Sequence, residues 1–274
     1  MESTQALMAT LKNLGSHALV GDVGQAVSWR RFGAGAPLVL LHGGHGSWLH
    51  WIRNIEQLAA SHEVWVLDMP GFGESDALPP DASFNALVDA ISLSIAQILG
   101  HETAIDLAGF SFGSVVASAL ALRRGNVRKL ALLGPTGHGG LRRESSPMVN
   151  WRRSTAQADL LADLKKNLEV LMLHGPVDPL ALEIHRYSCL HTRYRSKQTS
   201  QSAVLPALLE PLQLPILMVW GEHDATGVPQ EIGPRYQDAR PERQWKIIPG
   251  AGHWVQYEAA DFTNDLLLDW FNKC

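Results

Sequence analysis

The chain is short of the features that mark specialised protein classes. It carries only two cysteines in 274 residues, Cys189 and Cys274. Two thiols cannot build a disulfide framework, so free cysteines in a reducing, cytoplasmic compartment are expected. No apolar run approaches the roughly 20 residues of a membrane helix, and Met1-Glu2-Ser3-Thr4-Gln5 is not a basic-then-apolar secretory opening. Charge of one sign is lacking as well. Lys and Arg number 23 against 27 Asp and Glu, a formal net charge of −4, with no basic block. Neither nucleic acid nor a membrane surface is therefore an expected partner. Twelve histidines invite a metal, yet no H-E-x-x-H or Cys/His spacing occurs, and His42, His45 and His50 lack carboxylates at useful offsets. There is no G-x-x-x-x-G-K-[ST] phosphate loop, no repeat and no low-complexity segment. No cofactor or metal is called for.

What the chain does have is a succession of short apolar runs separated by helical patterns. Residues 1 to about 24 mix helix formers with Gly15, Gly21 and Gly24 and read as a short peripheral segment. Gln25 to Phe32 alternates weakly, as an outer antiparallel strand does. Leu38 to Leu41, Val64 to Leu67, Thr103 to Ala108 and Val127 to Leu133 are continuous apolar strands of the kind buried on both faces. Between them, Trp48 to Ala60, Phe84 to Leu99 and Phe112 to Arg123 have helical spacing. Asp81-Ala82-Ser83 caps the second of these helices, and Gly100 stops it. Strand alternating with helix calls for a mostly parallel, doubly wound α/β sheet. From Gly134 to about Pro211 the alternation stops, leaving helical stretches at Asp159 to Leu173 and Leu180 to Leu190. Strands resume at Ile216 to Trp220 and Trp245 to Ile248, and Phe262 to Phe271 is a last helix. The expected organisation is a core in two parts, 1–133 and 212–274, with 134–211 as a helical cap placed over the end of the sheet.

The chemistry centres on Gly109-Phe110-Ser111-Phe112-Gly113, which matches the nucleophile elbow G-x-S-x-G between a strand and a helix. The bland alternative is a loop serine between two common glycines, and the rest of the chain decides against it. A serine hydroxyl needs a base, and the base an orienting carboxylate, both at carboxyl ends of strands. Asp224 follows the strand ending at Trp220, and His253 follows the one ending at Ile248, in the chain order Ser, acid, His. Glu222 is the neighbouring alternative for the acid. An oxyanion hole needs the N–H of the residue after the nucleophile, Phe112, and one from an earlier loop. His42-Gly43-Gly44-His45-Gly46 supplies it, with Gly44 the leading donor because glycine admits close approach. Of Phe110 and Phe112, at least one is expected to pack in the core while the backbone of the other serves the oxyanion.

With those residues in hand, the chain resembles the α/β-hydrolase superfamily, in the branch with an HGG oxyanion loop and an inserted cap. The resemblance rests on five segments in order: Leu38 to Gly46, D-x-P-G-x-G-x-S at Asp68 to Ser75, the elbow, W-G-x-x-D at Trp220 to Asp224, and G-A-G-H-W at Gly250 to Trp254. It implies the α/β-hydrolase fold and, because the elbow residue is a serine, attack on a small acyl substrate, with carboxylic esters the default. A narrower resemblance is to the meta-cleavage product hydrolases, which split a carbon–carbon bond in vinylogous diketo acids. Gly43-Gly44, Gly46-Ser47, Trp254 and Gln256 carry it, and it implies a basic cap residue for the substrate carboxylate, with Arg193 and Arg195 as candidates against a role as solvated surface charges. A ligand receptor on the same scaffold is the third reading. Gly43, His45, Trp48 and Trp254 join Arg193 as expected substrate contacts, although His45 and Trp48 equally suit packing beneath the cap. Asp68 and Ser75 read as braces for their loop, and Asp106 is given no role. Nine tryptophans leave room for an apolar contact between copies in a homo-oligomer.

Overall fold

Eight strands form one sheet in the order β1-β2-β4-β3-β5-β6-β7-β8. The computed structural model describes Ala9 and residues 15–273, apart from 23, 144, 145 and 241. The rest of the segment before residue 15 and Cys274 thus lie outside the described residues. The strands are β1 (Ser16–Val20), β2 (Val27–Phe32), β3 (Ala36–Leu41), β4 (His62–Asp68), β5 (Ile105–Phe110), β6 (Val127–Leu133), β7 (Ile216–Gly221) and β8 (Arg243–Ile248). From β4 through β8 every neighbouring pair is parallel, whereas β2 runs antiparallel to both β1 and β4.

Two of these strands correct the sequence reading. β1 falls where only peripheral chain is expected, and it takes the sheet edge from β2. Four of its five residues are exposed, so it carries no apolar stripe by which a pattern could reveal it.

The buried strands behave as their composition dictates. In β3, Leu38 and Leu40 belong to the core on one face, and Val39 and Leu41 to the core on the other. Side chains alternate across a strand, so a continuous apolar run can be stable only with helices on both faces. One face is covered by α1 (Ile55–Ala59) and α10 (Ala260–Asn272), through Ile55, Leu58, Trp270 and Phe271. The other is covered by α2 (Phe84–Leu99) and α3 (Phe112–Arg124), through Leu87, Ile91, Val116 and Leu120. Each fully buried aliphatic side chain contributes about 1.5–3 kcal/mol relative to an exposed one. The Ser83 hydroxyl caps α2 by accepting the Ala86 N–H, and Gly100, at φ +87°, ends it.

Between β6 and β7 the described residues hold helices and no strand: α4 (Gln157–Asn167), α5 (Pro179–Leu190), α6 (Lys197–Gln201) and α7 (Val204–Leu209). A π-helical turn, Leu168–Met172, continues α4. The expected helix Trp48 to Ala60 is instead a 3-10 turn, Trp48–Trp51, followed by α1, although Trp51, Ile52, Ile55 and Leu58 are all buried. Helix α8 (Pro229–Ala239), between β7 and β8, has no counterpart in the sequence reading, because Gly233 and Pro234 interrupt its pattern. A four-residue helix α9 (Val255–Glu258) precedes α10. Among the described residues no helix is long and apolar enough to cross a membrane.

The parallel direction of β3 through β8 has one consequence for chemistry. The segments after β3, β4, β5, β6, β7 and β8 all leave the sheet at one edge. They begin at His42, Met69, Ser111, Gly134, Glu222 and Pro249.

Candidate active site

Ser111 sits at the turn from β5 into α3 with φ 54° and ψ −118°. Only His45 shares a positive φ among the described non-glycine residues. A left-handed serine is strained, and the surroundings must hold it there. Its N–H donates to the Leu133 carbonyl (2.8 Å), which ties the turn to β6. The flanking glycines are required by backbone contact. A Cβ on Gly113 would lie 2.6 Å from the Leu41 carbonyl oxygen, and one on Gly109 would lie 2.8 Å from the Ser114 Cα. Strand and helix pass so closely that no side chain fits between them.

His253 Nε2 lies 2.9 Å from Ser111 Oγ, and its Nδ1 lies 2.9 and 3.0 Å from the two oxygens of Asp224. A carboxylate can only accept, so Nδ1 carries the proton and Nε2 is left to accept the serine hydroxyl hydrogen. Asp224 is wholly buried. Burial pushes its carboxyl up, but the His253 charge and the hydrogen bonds from His253 and Thr226 outweigh this and hold it below the ordinary range. Thr226 donates both its N–H and its hydroxyl to Asp224 Oδ1, each at 2.7 Å. Gly134, at φ +47°, makes room for the imidazole, because a Cβ there would lie 2.9 Å from His253 Nδ1. Glu222 points elsewhere: it accepts the Gly250 N–H and lies 3.7 Å from His223 Nε2.

The loop after β3 lies directly against this turn. A Cβ on Gly43 would lie 3.1 Å from that of Ser111, and one on Gly44 would collide with the Ser196 hydroxyl. Two buried histidines fix the loop. His42 donates Nδ1–H to the Gly43 carbonyl (2.8 Å) and accepts the Met69 N–H at Nε2 (3.0 Å). His50 Nδ1 accepts the Gly43 N–H (3.2 Å). With both polar groups of Gly43 engaged, the next N–H along the loop is that of Gly44. Phe112 opens α3, where the first N–H groups have no intrahelical acceptor. Burial pushes the His42 imidazole down to about 4 and that of His50 well down, so both are neutral. The sequence marks His42 as the start of the His42-Gly43-Gly44 loop and gives His50 no role beyond an unsuited metal ligand. The spacing His42, Gly43 and His50 held the signal, but a ring accepting a backbone N–H has no sequence signature.

The remaining expected contacts divide. His45 is half-buried with φ 51° on the oxyanion loop. Trp48 is not at the site surface. It lies in the core with the Arg30 guanidinium 4.5 Å above its ring and Phe32 stacked at 6.4 Å. Trp254 is also fully buried: it stacks on Tyr257 at 4.2 Å and donates Nε1–H to the His50 carbonyl, so it buttresses His50. Arg193 is turned to the loop after β4, donating to the carbonyls of Gly73 (3.3 Å) and Ser75 (2.5 Å). Arginine pairs readily with carbonyls of an irregular loop, and Nη2 is used so here while the residue stays exposed. Asp68 braces the same loop, accepting the N–H groups of Trp48 (2.8 Å) and Glu74 (3.0 Å). Ser75 donates to the Asp68 carbonyl and accepts the Ser28 N–H (2.8 Å). Both phenylalanines of the elbow are fully buried, Phe110 against His253 and Phe112 against Tyr194.

The segment between β6 and β7 reaches the site at several points. Ser47 and Ser188 share a hydrogen bond (2.9 Å), and Trp254 N–H donates to the Met172 carbonyl. Glu258 accepts the N–H groups of Gly252 (2.6 Å), His174 (2.9 Å) and Gly175 (2.5 Å), clamping the loop before His253 to that segment. Among the described residues no group of three or more His, Cys, Asp or Glu side chains is placed to hold a metal ion.

Residues 38–266 match the model of the alpha/beta hydrolase family. The 2-hydroxy-6-oxononadienedioate/2-hydroxy-6-oxononatrienedioate hydrolase of Paraburkholderia phymatum is 29% identical over 94% of this chain and 94% of its own length. The 2-hydroxy-6-oxo-6-phenylhexa-2,4-dienoate hydrolase of Burkholderia cepacia is 30% identical over 86% of this chain and 88% of its own. Among solved structures, carboxylesterase CesB of Bacillus subtilis aligns with a TM-score of 0.76 at 20% identity, covering 99% of this chain and 96% of its own.

Proposed function

This chain belongs to the alpha/beta hydrolase family and is a hydrolase of that type, and we propose that it cleaves a small acyl substrate through Ser111, His253 and Asp224. The observation that carries this reading is the continuous chain of hydrogen bonds from Asp224 through His253 to Ser111 Oγ. Ser111 Oγ attacks the carbonyl carbon while His253 Nε2 takes its proton. Charge gathers on the carbonyl oxygen, which the N–H groups of Gly44 and Phe112 stabilise. The imidazolium, held by Asp224, then gives the proton to the leaving group as the tetrahedral carbon collapses to an acyl-enzyme. Water, deprotonated by the same imidazole, releases the acid and restores Ser111. Residues 134–211 act as the cap that limits which substrates arrive.

The bond cleaved is a carboxylic ester. A second reading, hydrolysis of a carbon–carbon bond in a vinylogous diketo acid, is favoured by the named activities of relatives that match along nearly the whole chain. One nitrogen of Arg193 is engaged by the Gly73 and Ser75 carbonyls, which leaves the exposed Arg195 as the other candidate for the substrate carboxylate. The test is turnover of p-nitrophenyl butyrate beside that of a 2-hydroxy-6-oxo-dienoate followed by its absorbance. Loss of turnover in Ser111→Ala is expected, together with loss of fluorophosphonate labelling. Labelling that persists in Ser111→Ala excludes Ser111 as the nucleophile, and a ratio of kcat/KM above about 100 for the dienoate assigns the second reading.

A further inference from the structure

A groove of about 650 Å³ lies between α7 and α8, and neither the triad nor the oxyanion loop lines it. Ala203, Pro206, Ala207 and Ile232 form an apolar wall, and Arg235, Arg240 and Arg243 provide the charge. The three arginines differ in how far they are engaged. Arg240 pairs with Glu242 (3.7 Å) and donates to Gln213 (2.9 Å) and the Glu210 carbonyl (3.1 Å). Arg243 is only 4% exposed and donates one Nη2–H to the Leu209 carbonyl (2.5 Å); its Nε and Nη1 meet no acceptor among the described residues. Arg235 is exposed and has no ion pair or hydrogen bond among the described residues. Beside them Tyr236, 6% exposed, buries a hydroxyl that has no partner among the described residues. Burial pushes that phenol up to about 12, so it remains a donor.

The unengaged Arg243 donors reach the groove surface, where water or a ligand can accept from them. Glu210 lines the same groove and Glu242 pairs with Arg240. Three arginines against these two glutamates leave one positive charge, which suits a singly charged ligand. The groove is far larger than an inorganic ion needs, and ligand sites of this volume take molecules with an apolar body. We propose that the groove is a binding site for a small organic carboxylate, its carboxylate paired with Arg235 and Arg243 and its apolar body on Ile232, Pro206 and Ala207. Guanidinium and carboxylate match as planar donors and acceptors, and such charge-assisted pairs are the strong ones. The proposal is independent of the reaction at Ser111.

Calorimetric titration of the full chain with benzoate tests it, with inorganic phosphate titrated in parallel. One benzoate should bind per chain, and Arg235→Gln should raise its Kd about tenfold. Ser111→Ala should leave the Kd unchanged, which locates the ligand away from the triad. An absence of benzoate binding overturns the proposal, as does a Kd indifferent to Arg235→Gln, or phosphate binding that benzoate cannot displace.

Discussion

Replacing Asp224 by Asn separates positioning of the imidazole from simple packing. The substitution is nearly isosteric, and both Thr226 donors converge on Oδ1 at 2.7 Å. Those two donors will hold the amide oxygen of Asn at that place and direct its NH2 to where Oδ2 now lies, 3.0 Å from His253 Nδ1. That NH2 faces Nδ1 beside an amide oxygen already taken by two Thr226 donors, so the tautomer with the proton on Nε2, in which Nδ1 accepts from the NH2, is favoured. Nε2 then no longer accepts from Ser111 Oγ, now 2.9 Å away, and the serine has no base. The loss expected for a wrong tautomer with intact geometry is about ten-thousand-fold in kcat, or about 5 kcal/mol of transition-state stabilisation. Ester turnover should fall by that factor with KM nearly unchanged, and the remaining rate should rise tenfold per pH unit as hydroxide replaces the base. Thermal unfolding should be little altered, because all Thr226 bonds survive. A loss under about tenfold, or a residual rate with the parent pH profile, would refute this account of Asp224.

Other expectations follow from the same contacts. Gly113→Ala drives a Cβ to within 2.6 Å of the Leu41 carbonyl oxygen and should cost about 3 kcal/mol or more in urea unfolding; a change under about 1 kcal/mol would mean strand and helix can part. Arg193→Gln should leave KM for esters within about twofold but lower Tm by a few degrees, as the loop carbonyls lose their donor; a large rise in KM would restore a substrate role. Burial depresses His42 to about 4 and His185 to about 3. Their unfolded value is about 6.5, so the unfolded chain binds more protons below that pH. Their stabilising contribution is whole above pH 6.5 and fades as pH falls toward 4, by about 1.4 kcal/mol per unit for each histidine. Asp224, held low, adds its loss only below about pH 4. Urea midpoints measured at pH 7, 6 and 5 should fall in turn, and a flat profile would contradict the buried neutral imidazoles.

The parallel sheet, and the edge at which its strands end together, were legible in the sequence. Continuous apolar runs such as Leu38–Leu41 and Val127–Leu133 cannot be stable with one face in water, and the helical periods between them leave a parallel, two-sided sheet as the arrangement. Glycines at 109 and 113 around a serine, with Asp224 and His253 each just past a strand, follow from the same logic, since parallel strands end together. Edge strand β1 and helix α8 were not legible: exposed residues give no burial pattern, and Gly233-Pro234 breaks a helical one.

How the side chains around those positions are engaged depends on packing between distant parts of the chain. Trp48 and Trp254 look like pocket aromatics beside functional motifs, yet the space beneath the oxyanion loop had to be filled, and both fill it. Arg193 lies in a basic stretch, but which acceptor it meets depends on a loop 118 residues earlier in the chain. Gly134 is one glycine among 24 until the His253 ring is seen resting against it. The assignment of Gly44 over Gly43 turns on two imidazoles that take both polar groups of Gly43. Sequence patterns encode which face of an element is apolar; they do not encode which hydrogen-bond partner arrives from the far end of the chain, and that choice fixes the site.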